Sequence, residues 1–440
     1  MNQASALAAM TLDAAAADTS QVRDVRFPVI DYRAHPAFAP LAGPYIYDDE
    51  LIRRAVERID AVHAQFVARD SASQTDAHLA LSEIGALANA LRQHAREVAA
   101  PVLALEWLGS ALNWTLADLH YEYVRLLHLT AEADVAALDT AHARQLQELR
   151  ARGLYIADLD DRDYGDIVRL VEPCAAELRT KVAAQPAQRA VFSPSRVSPL
   201  GRAIQRALAR AGVLEVVTGY KRNRMRILGT GVEYSSAQQV WHSGIYADCG
   251  LRDSPLRYLH VDQADHLPKA MIYATPVTEN NGPTGLIPGS NRWARSEFLF
   301  RVHKGLDRIS GERYGPYLGG SEYRVTARSP ELRKIFMQLP RAFQGTSHFG
   351  DDVVADSDLA RDLAAREFKF LCARRGRVLV FDGGRTLHRG SLVAAGDRLA
   401  LQVGFVNVND RKLRTQIAGG SHVRRLLKRA THLARLATRP

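Results

Sequence analysis

The segment Tyr258-Leu259-His260-Val261-Asp262 sets an imidazole and a carboxylate two residues apart. In an extended chain residues i and i+2 share a face, so His260 and Asp262 can converge on one metal ion from a strand end. Far downstream, GRVLVFDGGRTLH (376–388) reads as a β-rich run that delivers a second imidazole, His388, to another strand end. Two histidines and one carboxylate form a facial triad that leaves three positions on Fe(II) open for cosubstrate and oxygen. The mixed nitrogen and oxygen set suits iron, whereas a structural zinc site would want four closed ligands. Ten residues beyond His388, Arg398 opens the strand candidate LALQVGFVNV. A guanidinium can pair bidentately with the distal carboxylate of a dicarboxylate. His260, Asp262 and His388 are therefore candidate metal ligands, with Arg398 a candidate anchor for 2-oxoglutarate.

An isolated His-x-Asp pair carries little weight, and the chain holds two decoys. His120-Tyr121-Glu122 lies in a helical run, where i and i+2 diverge by about 200°. Trp241-His242-Ser243-Gly244 has no carboxylate two positions on, although His242 could line a site. Lys269 and Tyr273 share one face of the strand candidate KAMIYATPV (269–277) and are expected to point inward, where either could touch 2-oxoglutarate; Thr275 is a weaker candidate of that kind. Arg385 and Arg389 flank His388 and are alternative carboxylate partners, with Arg398 preferred for its place on the following strand. Arg222, Arg224 and Arg226 alternate along KRNRMRIL and would share one strand face, either meeting an anionic substrate or solvating an edge.

These residues need elements to hold them. Residues 1–48 are rich in Ala and Pro and expected to be partly disordered. Residues 49–140 carry apolar positions at helical spacing (Leu51, Ala55, Ile59, Val62, Phe66; Leu81, Ile84, Leu87, Leu91) and little Gly or Pro, which predicts an α-helical region. AHARQLQELRARG ends at Gly153, a C-cap candidate, followed by the strand candidate LYIADL and helices near 161–184 and 199–212. From about 221 the period falls toward two. Helices first and strands afterwards predict an α+β chain whose second half is a sandwich or barrel spanning 141–410. Residues 421–438, within a final segment 411–440, form a basic amphipathic helix that either packs its apolar stripe or touches a membrane surface weakly.

Composition narrows the classes further. No run of about 18 apolar residues exists, so no membrane span is expected, and the N-terminus lacks the pattern of a secretory signal. Cys174, Cys249 and Cys372 are odd in number and far apart, which supports neither a disulfide framework nor a CxxC zinc site and fits a reducing cytoplasm. The net charge is +10, but residues 411–440 hold nine Lys or Arg and no Asp or Glu, leaving 49 basic against 48 acidic side chains elsewhere. Without aromatic interleaving in the tail, nucleic-acid binding is not expected. No P-loop or GxGxxG fingerprint occurs.

Four features in order resemble the phytanoyl-CoA dioxygenase-like oxygenases: LHVD, KAMIYATPVTE, NGPTGLIPGSNRW, and the spacing of His388 to Arg398. The resemblance covers roughly residues 141–410. It implies a double-stranded β-helix (jelly-roll or cupin-like) core with flanking helices, and Fe(II), 2-oxoglutarate and O2 as cofactor and cosubstrates. It also implies oxidative decarboxylation of 2-oxoglutarate coupled to hydroxylation of an unactivated C–H bond. Asn291 stands where a His is usual after the PGS turn. Halogenases of the family lose the carboxylate ligand; Asp262 is present here, which favours hydroxylation. Residues 49–140 have no counterpart in the family core and could be a substrate lid, a dimerisation element or a separate domain. The substrate, small-molecule or carrier-linked, and the oligomeric state are not readable. The rival readings are a non-catalytic scaffold of the same fold and, more remotely, a cupin-like isomerase or zinc hydrolase.

Overall fold

The computed structural model describes residues 25–28, 32–33, 38–41, 49–68, 73–97, 102–129, 140–186, 190–239, 259–262, 268–313, 330–345, 347–349, 358–372 and 376–408. The expectations for residues 1–24, for His242 and Cys249, and for the basic tail lie outside them.

The helical region expected at 49–140 comprises α1 (Asp49–Val67), α2 (Gln74–Glu97) and α3 (Val102–Leu129). In α1, Ile52, Val56, Ile59 and Phe66 recur on one face and are buried, the stripe that makes the helix pack. Ser73 starts α2 with a reciprocal pair: its hydroxyl accepts the Asp76 N–H and the Asp76 carboxylate accepts the Ser73 N–H. His120 and Glu122 sit within α3, so the HYE segment is helical and furnishes no converging pair. No helix of the described residues is long and apolar enough to cross a membrane.

Helix α4 (Thr140–Arg152) ends where Gly153 turns left-handed, at φ 75°, and hands the chain to β1 (Leu154–Asp158). Helix α5 (Asp161–Ala184) is capped by Asp160, whose carboxylate accepts the N–H groups of Arg162 and Asp163. After β2 (Ala190–Phe192), α6 (Pro199–Arg210) begins with Ser198 as cap and Pro199 in the first turn. The next stretch departs from the sequence reading. Gly212, at φ 67°, stops α6, and a second helix, α7 (Val213–Lys221), buries Val213, Val216 and Val217 at helical spacing. Arg222 closes it at φ 48°, and β3 (Met225–Ser236) starts only three residues later. Of the three arginines only Arg226 lies within the strand, since Arg222 caps the helix and Arg224 precedes Met225; the helical period of 213–221 delays the strand expected to begin at 221.

The remaining elements are β4 (Leu259–His260), β5 (Lys269–Tyr273), β6 (Thr284–Leu286), α8 (Glu297–Arg313), α9 (Pro330–Met337), β7 (His348–Phe349), α10 (Asp358–Arg366), β8 (Phe368–Phe370), β9 (Arg377–Phe381), β10 (His388–Arg389) and β11 (Asp397–Asn407). They build two antiparallel sheets, one in the order β1-β9-β5-β11-β3-β2 and one in the order β7-β4-β10-β6-β8. Strand β11 shows how they stack. Leu399, Leu401, Val403 and Phe405 pack outward with Ile167, Ile204 and Val217 of α5, α6 and α7. On its other face Ala400 joins Met271, Tyr273, Leu379 and Phe381, and these meet Leu286 and Phe370 of the second sheet. Burial on both faces explains why these strands read as nearly continuous apolar runs.

The three N-terminal helices do not stand apart from this. Ile59, Ile84, Trp107 and Leu112 form one core with Phe298, Val302 and Leu306 of α8 and with Phe336 of α9. A segment lying between strands of the second sheet thus packs into the helical region.

Gly153 makes the helix-to-sheet joint possible. A Cβ there would meet the Thr386 hydroxyl at 2.1 Å and Asn291 Cγ at 3.0 Å, on a backbone already left-handed. Gly153→Ala is expected to lower unfolding free energy by about 1–3 kcal/mol in chemical denaturation. An unchanged midpoint and slope would show that the joint yields freely.

Candidate metal centre

Antiparallel pairing of β4 with β10 puts His260 directly opposite His388, with ring centroids 4.4 Å apart. Two residues past His260, the Asp262 N–H donates to the Gly383 carbonyl at 2.7 Å, tying the end of β4 to the turn that precedes β10. The Asp262 carboxylate then lies 3.6 Å from His388 Nε2. One ligand atom from each of His260, Asp262 and His388 lies within 4.8 Å of the others, the one such His, Cys, Asp or Glu group among the described residues. His388 Nδ1 faces the Thr386 carbonyl at 2.9 Å, which calls for the proton on Nδ1 and leaves Nε2 with its lone pair toward Asp262.

The turn 382–388 is wound by Asp382. Its carboxylate accepts the Tyr220 hydroxyl at 2.8 Å, the Lys221 ammonium at 3.0 Å and the Gly384 N–H at 3.1 Å, while its carbonyl accepts the N–H groups of Arg385 and Thr386. Ser290 backs the same turn: its hydroxyl accepts the Leu387 N–H at 2.9 Å. The turn-rich segment 281–293 thus serves the site structurally. Gly282 and Gly289 supply φ values of 80° and 81°, and β6 between them pairs Leu286 with His388. Asn291 donates to the Arg150 carbonyl at 3.1 Å, a structural bond near the α4 end.

Lys269, the first residue of β5, reaches across with Nζ 2.7 Å from Asp262 Oδ2. Burial pushes the Asp262 carboxyl up. The Lys269 ammonium, the leading opposing charge, outweighs that, and the carboxyl is held well below the usual carboxylate range.

Arg398 is buried on the inner face of β11. Its Nη1 donates to the Gly390 carbonyl at 2.9 Å, two residues past His388, and to the Gly282 carbonyl; its Nη2 donates to the Ser235 hydroxyl at 3.2 Å. Nε has no hydrogen-bond partner. Tyr273, fully buried and stacked on Phe370, exchanges its hydroxyl with Thr284 Oγ1 at 2.7 Å and accepts the Thr284 N–H at 2.8 Å; burial pushes its phenol up. The two arginines beside His388 are committed elsewhere. Arg385 pairs with Glu297 at 2.6 Å and Arg389 with Glu367.

Residues 252–394 match the family model described as phytanoyl-CoA dioxygenase, and the match encloses all three candidate ligands. This stretch is a phytanoyl-CoA dioxygenase-family segment. It marks the protein as a 2-oxoglutarate-dependent, non-haem iron oxygenase that uses Fe(II) and O2. No curated protein matches the chain. Similar solved structures include the 2-oxoglutarate-dependent carbocyclase SnoK of nogalamycin biosynthesis, at 13% identity and TM-score 0.35, covering 64% of this chain and 91% of that one. EctD from S. alaskensis matches at 14% identity and TM-score 0.35, covering 63% and 81%. AviO1 from Streptomyces viridochromogenes Tue57 matches at 11% and 0.33, covering 62% and 97%. Values this low say nothing of substrate.

The residues of this phytanoyl-CoA dioxygenase segment fit the ion. Two imidazoles and an ionised carboxylate face one another, and the space for that carboxylate exists because residue 383 has no side chain. A Cβ on Gly383 would lie 2.2 Å from Asp262 Oδ2. Just beyond that segment, Arg398 is a buried guanidinium whose Nε makes no hydrogen bond, past the end of the His388 strand. Sequence reasoning missed Asp382 and Gly383. The FDGG tetrad was their signal, since an Asp before paired glycines marks a turn that closes on its own backbone.

Gly383→Ala is expected to push the Asp262 carboxylate aside and weaken Co(II) binding at least 10-fold with the fold intact, read by absorption titration. Binding equal to wild type would remove Gly383 from the cradle.

Proposed function

We propose that the protein oxidises a C–H bond of a small-molecule or carrier-linked substrate, most simply by hydroxylation, releasing succinate and CO2 from 2-oxoglutarate. In this reading the two sheets form a double-stranded β-helix, residues 141–410 are the oxygenase unit, and residues 49–140 are a helical region set against it. His260, Asp262 and His388 hold Fe(II); Arg398 binds the distal carboxylate of 2-oxoglutarate; and Lys269 and Tyr273 line the cosubstrate's place. One observation carries the proposal: the pairing of His388 with His260 across β10 and β4, with Asp262 Oδ2 3.6 Å from His388 Nε2.

Bound iron would supply the redox centre at which 2-oxoglutarate and oxygen react. The chain's own residues do the rest. Asp262 stays ionised despite burial because the Lys269 ammonium faces it. His388 presents Nε2 because its Nδ1–H donates to the Thr386 carbonyl. Arg398 offers a guanidinium whose outer nitrogens are already oriented by Ser235, Gly282 and Gly390, so little freedom is lost when a carboxylate arrives. Tyr273, Phe370, Leu379 and Phe381 line an apolar interior that keeps water from the reacting centre. Retention of Asp262 supports hydroxylation over halogenation, since a halide site needs that ligand removed.

Anaerobic addition of Fe(II) and 2-oxoglutarate should produce the metal-to-ligand charge-transfer absorption, and air should then yield iron-dependent succinate. His260→Ala and Asp262→Ala should abolish both. Arg398→Met should raise the 2-oxoglutarate requirement by about 10- to 100-fold while leaving metal affinity near wild type. Normal turnover by both ligand variants, or an unaltered 2-oxoglutarate KM in Arg398→Met, would sink the corresponding assignment.

A further inference from the structure

Helix α8 lies between the N-terminal helices and the turn that carries His388, and it makes ionic contacts on both sides, buried at Arg301 and Lys304 and half-buried at Glu297. On the helical side Arg301 is 1% exposed, and its guanidinium is clamped by Asp118 and Glu122, one turn apart on α3. Asp60 of α1 accepts the Phe298 N–H at 2.9 Å, pinning the first turn of α8 from outside. On the site side, Glu297 lies 4.0 Å from Arg301 and takes both contacts from Arg385, at 2.6 and 2.8 Å. Lys304, fully buried, donates to the Gly384 carbonyl at 3.0 Å with its ammonium over the Phe300 ring. Gly384 and Arg385 follow Gly383, against which the Asp262 carboxylate rests, and precede His388 by four and three residues.

We infer that Asp118, Glu122, Arg301, Glu297 and Arg385 act as positioning residues for the iron ligands, so that the N-terminal helices are a working part of the metal centre. The chain of contacts is continuous. Carboxylates on α3 orient Arg301, Arg301 and Arg295 orient Glu297, and Glu297 fixes Arg385 within the turn whose next elements are Thr386, which sets the His388 tautomer, and His388 itself. Lys304 holds the adjoining carbonyl in the same direction. Apolar contacts accompany the ionic ones: Phe300 packs with Leu259, Val261 and Leu387, the neighbours of all three ligands. A buried guanidinium whose two outer nitrogens each meet a separate carboxylate fixes direction as well as distance, which apolar packing alone does not. Outer partners of metal ligands typically change metal affinity by about 10- to 100-fold.

This inference rests on the metal-centre reading above, and Co(II) alone, titrated into the full-length chain, tests the two separately. Wild type should bind one Co(II) with a visible d–d spectrum that His260→Ala loses. Failure at this step overturns the metal-centre reading itself. Given that step, Glu297→Gln and Arg385→Gln should each weaken Co(II) binding about 10-fold and shift the spectrum, and the double variant should be little worse than either single. Asp118→Asn with Glu122→Gln should act in the same direction. Where leaving Arg301 unpaired unfolds the chain, the triple variant Arg301→Met/Asp118→Asn/Glu122→Gln removes the buried charges together; it should fold, by near-ultraviolet circular dichroism, and still bind Co(II) about 10-fold more weakly. Folded variants with wild-type affinity and spectrum would reduce the network to packing and overturn the inference.

Discussion

An ionised carboxylate buried between two sheets needs positive charge beside it, and the Asp262 carboxylate has it in the Lys269 ammonium 2.7 Å away. Burial by itself would favour the neutral acid, which is a poor metal ligand. Lys269 comes from β5 of the six-stranded sheet, whereas His260 and His388 come from β4 and β10 of the five-stranded sheet. The charge balance around Asp262 therefore exists only when both sheets are formed and facing each other. That couples the site to the whole β core: a strand slipped by one residue would turn Lys269 outward and leave the carboxylate unpaired.

The same constraint explains the construction of the turn 382–388. His388 must arrive with its ring aimed at Asp262, and a turn rich in glycine has little stiffness of its own. Stiffness comes from outside. Asp382, 1% exposed, draws Tyr220 and Lys221 from α7, and Ser290 and Gly153 hold Leu387, Thr386 and Asp382 through single hydrogen bonds. Three elements distant in sequence, the ends of α4 and α7 and the 281–293 segment, thus converge on seven residues. Their glycines are where backbones must pass close to one another, as at Gly153 and Gly383.

Much of this was legible in the sequence because the candidate ligands carry their own local signature. A strand places i and i+2 on one face, so His260 and Asp262 could be paired on spacing alone, and His388 and Arg398 stand at the ends of runs whose apolar character announces strands. The helical character of 49–140 and the helix near 161–184 followed from the 3.6-residue period, whereas the division of the first into three helices came from the structure. What spacing could not show was anything set by contacts between remote segments. The support given to His388 by Asp382 depends on Tyr220 and Lys221, more than 160 residues away. Helix α7 was missed because alternating arginines beyond Lys221 imitate a strand, and only the packing of Val213, Val216 and Val217 reveals the competing period. Lys269 was expected to face inward; that its nearest charged partner is a candidate iron ligand required the fold.

Buried charge in the helical region calls for a reason of its own. Apolar residues of similar volume at Arg301, Asp118 and Glu122 would pack the same space, and such replacements are often neutral or stabilising elsewhere. Burying a guanidinium at 1% exposure is therefore weak evidence for stability as its purpose. What the ionic version adds is direction: the planar fork of Arg301 accepts one arrangement of the α3 carboxylates, and Glu297, one turn away on α8, accepts one arrangement of Arg385. Helix α8 is consequently held in a single rotation about its axis, with Lys304 and Glu297 aimed at Gly384 and Arg385. An apolar seam would let the helix rotate or slide by fractions of an ångström at little cost. At a centre where three ligand atoms must meet one ion, such freedom would be expensive, and the buried charges remove it.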